Sequence, residues 1–474
     1  MIKIFARITS LAQRELIYKK TAFFRKTSIL ISRFKHDDSF FFVDEQRELC
    51  DPEYIQISNE YLGIIAKGHR VFVIQPYIKW GRNKKYNTTK NLQIDEAVAL
   101  VKTLPYWTVA DKICVPLLSF ERQQLFGKGT LEIIKKKLNG NSITAVFISV
   151  NTLRHEQILM LAKIFGVPVY DRYSLVIHIF RSHAKSPEAK IQVAIAELPY
   201  IYQKMSEING RINLLEKRKL YLHAREAKLK GALEKIKQYR NMTRTRRKKI
   251  GIPTIAFVGY TNAGKTSVIK ALTGDEGLEP KNYLFATLDT TGHEGFLPCK
   301  MKVLYIDTIG FIQDVPETLL APFNTTIEDA MFADIIVHVY DVSHPDSQAQ
   351  IDHVRNTLKV LSDGNRPMIE IANKCDLIRV EELPDEAFAI SATKLTGIDA
   401  LRYSIQDLVL KETGRSITKM RVESGSEPYL WIYKETTVLN VEVDPENSQF
   451  LFLDVVTSQD FFHRFRYFLK HYDK

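Results

Sequence analysis

Lys265 and Thr266 close a Gly-rich run, Gly259-Tyr260-Thr261-Asn262-Ala263-Gly264, and the eight residues together have the make-up of a phosphate cradle. Glycines let backbone approach a phosphate closely. The loop N–H groups and the N-terminus of a following helix then favour negative charge. Lys265 is suited to reach the outer phosphates, the Thr266 hydroxyl to ligate Mg²⁺, and Ser267 continues the site into the helix. Three further motifs follow in the order such a site requires.

Asp307-Thr308-Ile309-Gly310 places a carboxylate where Mg²⁺ is held directly or through water, and a glycine whose N–H can face a γ-phosphate. Asn373-Lys374-Cys375-Asp376 reads the base. A carboxylate at Asp376 accepts both guanine N–H donors, a pattern adenine lacks, and such a buried pair rejects the wrong base by roughly 10⁴-fold. Lys374 is expected along the base plane, and Asn373 is expected to tie this loop to the phosphate loop. Ser391-Ala392-Thr393 fits the backbone loop that caps the base. The ligand is GTP, with Mg²⁺ as cofactor.

Between cradle and Asp307 lies Leu284-Phe285-Ala286-Thr287-Leu288-Asp289-Thr290-Thr291. A mobile threonine here senses metal and γ-phosphate together; Thr287 is the choice, with Thr290 and Thr291 as alternatives. Lys265 and Thr287 are thus the candidate catalytic residues, and Thr266, Thr287 and Asp307 the candidate metal ligands. Many GTPases carry a water-orienting Gln directly after the Gly in the position of Gly310. Here Phe311 stands there and cannot hydrogen-bond, so intrinsic hydrolysis should be slow until a partner, or Gln313, positions the water.

These residues need elements to hold them. Apolar runs at 254–258, 303–306 and 368–372 read as buried strands delivering the motifs at their ends, and 268–272 as the helix after the cradle. Upstream, a strand from Arg70 to Ile78, a helix over 94–104, a strand over 145–150, a helix over 156–165 and a strand over 167–170 suggest a small α/β domain. In it, Asp171 and Arg172 fit a cap or ion pair at a strand end, and Trp80 and Trp107 fit a core. Leu222, Leu229, Leu233 and Ile236 recur at helical spacing in a hairpin expected from Pro199 to about Arg240. At the end, strands over 437–443 and 449–457 and a helix over 461–472 read as a small α+β module, with Phe465, Phe468 and Leu469 as core.

Gly-Tyr-Thr-Asn-Ala-Gly-Lys, Leu-Phe-Ala-Thr-Leu-Asp and Asp-Thr-Ile-Gly-Phe-Ile together resemble the HflX-type GTPases, Phe311 included. Val169-Tyr170-Asp171-Arg172, Ile179-Phe180 and Glu188-Ala189-Lys190-Ile191-Gln192-Val193 resemble that family's amino-terminal domain. The resemblance runs from about Arg70 to the end of the GTPase domain. It implies a monomeric ribosome-binding GTPase that engages the large subunit and its RNA, separates subunits or assists late assembly. Two departures stand out. The family's Gly-Pro-Gly-Glu-Thr segment is replaced by Ile208 to Glu216, and its Leu-Asp-Pro-Thr by Leu288-Asp289-Thr290-Thr291, which loses the fixed φ of proline. Both suggest a divergent, animal organellar member.

The net charge of +12 is unevenly spread. Residues 1–36 carry +8 and residues 217–249 carry +12, so the rest of the chain is at −8. The first segment, Arg/Lys-rich and acid-poor with Phe, Ile, Leu, Ser and Thr, has the composition of a mitochondrial presequence, the alternative being a nucleic-acid-binding arm. The second ends in Arg240, Arg244, Arg246, Arg247, Lys248 and Lys249, candidates for ribosomal RNA phosphates. Cys50, Cys114, Cys299 and Cys375 show no metal-ligand or CxxC spacing and fit a reducing compartment. No stretch reaches the roughly 18–20 apolar residues of a membrane span.

The expected fold class is α/β multidomain, built around a P-loop GTPase domain with a mostly parallel sheet. The expected division is a targeting segment (1–36), a linker (37–69), an HflX-type α/β domain (70–198), a basic helical hairpin (199–250), the GTPase domain (251–414) and an α+β domain (415–474). The reading is a mitochondrial matrix GTPase acting on the mitochondrial large subunit, either splitting and recycling ribosomes or occupying immature subunits during biogenesis.

Overall fold

The computed structural model describes residues 51–63, 68–79, 88–120, 122–139, 142–207, 212–281, 283–312, 319, 321–323, 331–361, 366–379 and 387–472. The expected targeting segment, Trp80 and Gln313 lie outside these. The chain divides into Met1–Gln56 and Ile57–Lys474. The first described residues are in helix α1 (Pro52–Leu62).

The second unit opens with a parallel sheet of β1 (Arg70–Ile78), β2 (Thr108–Leu117), β3 (Ala145–Ile148) and β4 (Val169–Tyr170), in the order β2-β1-β3-β4. Val71 to Ile74 are buried on both faces, as a central parallel strand demands. The helices are α2 (Lys90–Thr103), α3 (Lys128–Asn139), α4 (His155–Phe165) and α5 (Arg172–His183). Asp171 caps α5 by accepting from Ser174 N at 2.8 Å, and Arg172 pairs with Glu96 at 2.5 Å. Trp107 is buried, edge-on to Tyr170.

Helix α6 (Pro187–Ser206) starts earlier than the expected hairpin. Ser186 Oγ accepts from Ala189 N at 3.0 Å and Pro187 takes the first turn, where no N–H is needed. Pro199 lies inside the helix and does not begin it. Helix α7 (Ile212–Ile250) has 39 residues and so runs roughly 58 Å. It buries Leu222, Arg225, Leu229 and Ala232, one stripe at alternating spacings of three and four.

The second sheet follows the order β10-β9-β8-β5-β7-β6. Parallel strands β5 (Thr254–Gly259), β7 (Lys302–Asp307), β8 (Ile335–Asp341), β9 (Met368–Asn373) and β10 (Phe388–Ala389) share it with an antiparallel edge, β6 (Thr291–Phe296). Helices α8 (Lys265–Thr273), α9 (Ser347–Leu361) and α10 (Ile398–Glu412) belong to this part of the chain; Val268, Ile269 and Leu272 of α8 and Leu401, Ile405 and Val409 of α10 join the sheet's core. The final module is an antiparallel sheet, β11-β13-β12 (Arg415–Glu423, Phe450–Ser458, Val438–Val443), with α11 (Glu427–Glu435) and α12 (Gln459–Tyr472). Trp431 stacks on Phe468 with centroids 5.3 Å apart; Phe465, Phe468 and Leu469 are half-buried. Among the described residues no helix is long and apolar enough to cross a membrane.

Candidate nucleotide site

The cradle forms where β5 ends and α8 begins. Asn262 and Gly264 both take positive φ, 62° and 92°, which turns successive N–H groups inward. A Cβ on Gly264 would sit 2.3 Å from Asn373 Nδ2, and one on Gly310 2.8 Å from Thr261 Cα, so neither position admits a side chain. The cavity over this loop holds about 500 Å³.

Thr261, Asn262, Gly264, Lys265, Thr266 and Ser267 line one side of the cavity. Thr287, Gly310, Asn373, Lys374, Asp376, Ala392 and Thr393 line it as well, the last five from the two loops expected to read the base. Gly259, Tyr260, Ala263, Asp307 and Ser391 do not line the cavity; all five are buried. Sequence reasoning missed Pro280, Lys281, Tyr283 and Leu377 on the wall.

Asp307 is the hub of a hydrogen-bonded cluster with Thr266 and Thr287. Its Oδ2 accepts from the Thr266 hydroxyl at 2.6 Å and from the Thr287 hydroxyl at 3.2 Å. Thr290 and Thr291 do not line the cavity, and the Thr291 hydroxyl is bonded to His293 at 2.9 Å. The residues fit Mg²⁺: Asp307 Oδ1 is buried with no hydrogen-bond partner, and two hydroxyls and a carboxylate are the hard oxygen donors this ion takes beside phosphates. Burial pushes the Asp307 carboxyl above its ordinary range, against the pull of Lys265 and both threonines.

Lys265 is 6% exposed and donates to the carbonyls of Gly259 and Tyr260 at 3.2 and 3.1 Å. Burial brings its pKa down to about 8, with Asp307 opposing. An anion beside the amine would favour its charged form and raise that pKa again.

Asn373 joins three loops. Its Nδ2 donates to Ala263 O at 2.9 Å and its Oδ1 accepts from Ala392 N at 3.2 Å. Lys374, at φ 65°, sends its amine to Asp341 at 2.6 Å, so only its methylene stem is left to lie along a base. Ser391 Oγ accepts from Lys394 N at 3.2 Å, bracing the capping loop.

Phe311 is 5% exposed. Its N–H donates to Gly259 O at 3.0 Å and its carbonyl accepts from Thr261 N at 2.7 Å, which stitches the segment after Gly310 to the cradle. It holds the loop and offers nothing to a water.

The basic cluster at the end of α7 is less available than its sequence suggests. Arg240 pairs with Glu188, Arg244 lies over the Phe332 ring at 4.3 Å, and burial lowers the Arg247 pKa. Arg246 is exposed; the side chains of Lys248 and Lys249 lie outside the described set.

Known proteins are similar to this chain in sequence. A family model described as "50S ribosome-binding GTPase" matches residues 254–374, and one described as "GTP-binding GTPase N-terminal" matches residues 91–181. The chain is 38% identical over 430 residues to a Xenopus laevis protein named "Putative GTP-binding protein 6", covering 86% of this chain and 81% of that one. It is 35% identical to a GTPase HflX of Caldanaerobacter subterraneus over 60% of this chain and 70% of the other. A solved structure of a GTP-binding protein from Sulfolobus solfataricus in complex with GDP is 24% identical, with 72% of this chain and 99% of that one covered and a TM-score of 0.40.

Proposed function

The chain belongs to the HflX-type GTPase family, and from that premise we propose a GTPase that binds the large subunit of the mitochondrial ribosome and uses its nucleotide cycle to split or recycle ribosomes. The convergence of Thr266, Thr287 and Asp307 beside Lys265 carries the hydrolytic part of this reading. Asp376 and the loop it lies in select guanine. Lys265 and the N–H groups of the cradle stabilise charge on the phosphates, and Gly310 presents an N–H to the terminal one. Mg²⁺, when bound at the Thr266, Thr287 and Asp307 oxygens, supplies charge neutralisation. Thr287 is the residue through which a nucleotide's terminal phosphate orders its loop.

The ribosome is inferred from the family and from the cations along α7. Lys217, Lys228, Lys230, Lys235 and Arg246 are exposed on it, and phosphate is the group such a row meets. The mitochondrial address rests on the composition of residues 1–36.

A second reading makes the protein an assembly factor whose nucleotide only times its stay on immature large subunits. The burial of Phe311 favours it, because a slow clock suits occupancy better than turnover. Sedimentation of intact mitochondrial ribosomes with the protein and a non-hydrolysable GTP analogue separates the two. Free subunits are expected from splitting. Unchanged ribosomes, with the protein co-sedimenting on immature large subunits, would replace that reading with the second. Binding to neither particle would sink both.

A further inference from the structure

The loop carrying Thr287 is held by α5 and the start of α6, which lie outside the second sheet. Phe285 takes a φ of 54°, a conformation bulky residues rarely adopt, and is 1% exposed. Its ring meets Phe180 of α5 edge-on at 4.9 Å. Its carbonyl accepts from His183 Nδ1 at 2.8 Å, and the His183 ring stacks on Tyr283 at 5.0 Å. Beyond Thr287, the Asp289 carboxylate accepts from the Ser186 hydroxyl and, at 3.3 Å, from the Ser186 N–H.

Thr287 therefore sits midway between two attachments, Phe285 and Asp289, and both lead to the corner between α5 and α6. The Ser186 hydroxyl uses both of its capacities there. It donates to Asp289 while accepting from Ala189 N as the cap of α6. In the first turn of α6, Glu188 pairs with Arg240 of α7.

We infer that the α5–α6 corner sets the position of Thr287, with Phe180, His183 and Ser186 as positioning residues for the nucleotide site. This deepens the GTPase reading and rests on it. None of the three lines the nucleotide cavity; they act through the Phe285 backbone and the Asp289 carboxylate. Released from the corner, Phe285 loses the packing that supports its strained φ, and Thr287 leaves Asp307. The Glu188–Arg240 pair joins the same corner to the basic helix, so whatever α7 binds bears on the same loop.

Full-length Asp289→Ala, Ser186→Ala and Ser186→Thr test this by two measurements. One is hydrogen exchange over residues 284–291 in nucleotide-free protein. The other is the affinity for fluorescent GDP and for a non-hydrolysable GTP analogue. Asp289→Ala leaves the α6 cap in place. It should raise exchange in 284–291 about tenfold, the loss of one or two hydrogen bonds, with the remaining domains unchanged. Analogue binding should weaken by about tenfold and GDP binding by less than about twofold. Ser186→Ala should do the same and also loosen the first turn of α6, and Ser186→Thr should restore both. Unchanged exchange and unchanged analogue affinity in Asp289→Ala would overturn the inference. So would an equal loss of GDP and analogue binding, which a merely structural role would give. Failure of the wild-type chain to bind either nucleotide would instead overturn the GTPase reading, and the exchange measurement would still decide the positioning.

Discussion

The hydroxyl oxygens of Thr266 and Thr287 lie 3.3 Å apart, both bonded to the same oxygen of Asp307. One hydroxyl belongs to the first turn of α8 and is fixed by it. The other belongs to a loop that must come to it. Thr287→Ala should cut GTP hydrolysis by about 10²-fold, the loss of one preorganised group. GDP affinity should stay within about threefold, since the base and cradle contacts remain. Single-turnover hydrolysis alongside GDP titration checks both.

Lys265 makes binding depend on pH. With a pKa of about 8 when folded and nucleotide-free, against 10.5 ordinarily, it is losing its proton above pH 8, and a polyphosphate would restore it. GDP affinity should fall as pH rises past 8, by up to about tenfold per unit, with proton uptake visible by calorimetry in buffers of different ionisation heat. Stability of the nucleotide-free chain should move the other way. Between pH 8 and 10.5 the unfolded state holds more protons, so the folded state gains as pH rises. Lys265→Met should flatten both trends.

Asp376 should decide the base. In Asp376→Asn one acceptor becomes a donor, which opposes a guanine N–H and suits a carbonyl at the same ring position. GTP affinity should drop at least about 100-fold, and a xanthine nucleotide should gain relative to it. Competition between the two nucleotides for one fluorescent probe measures the change.

Phe311→Gln should not speed hydrolysis. The side chain is buried, so the new amide enters a dry site and should cost about 1–3 kcal/mol of stability. Thermal unfolding and intrinsic turnover, measured together, test this against the alternative of a rescued water-positioning group.

Binding of α7 to ribosomal particles should weaken with salt. If about six phosphates are neutralised, the logarithmic slope should be near −4 to −5. Lys228→Glu with Lys235→Glu should flatten it. Arg244→Ala should mainly lower the melting temperature, because its guanidinium is spent on Phe332. A flat response in the wild type would remove the RNA role.

The motifs at strand ends were legible because each is a short run tied to one apolar strand. Asp307 and Asn373 end β7 and β9 in that way, and Gly310 follows β7. What escaped was chemistry spread over distance. Strand β2 lies at a sheet edge, largely half-exposed, and shows no clean alternation. Strand β11 mixes Lys419 and Arg421 with Ile417 and Val422. Pro199 looked like a helix start, yet Ser186-Pro187-Glu188 holds the cap, the first-turn proline and the acidic first turn that signal one. His183 and Ser186 have no distinctive spacing, and only the fold brings them to Phe285 and Asp289. The arginines of α7 looked alike in sequence; packing assigns Arg240 to Glu188 and leaves Arg246 exposed.

Thr291, the first residue of β6, is paired opposite Asp307. Only two peptide steps separate it from Asp289, a tether of at most about 7 Å. A tether that short has almost no slack. If the α5–α6 corner is drawn away while Asp289 stays attached, the pull passes almost undiminished to the start of β6. Peeling of β6 would begin at the Thr291–Asp307 rung, and β6 is an outer strand with a single partner to lose. A large particle pulling on α7 would then act on this zip at its first tooth, directly beside the carboxylate that gathers the two threonines.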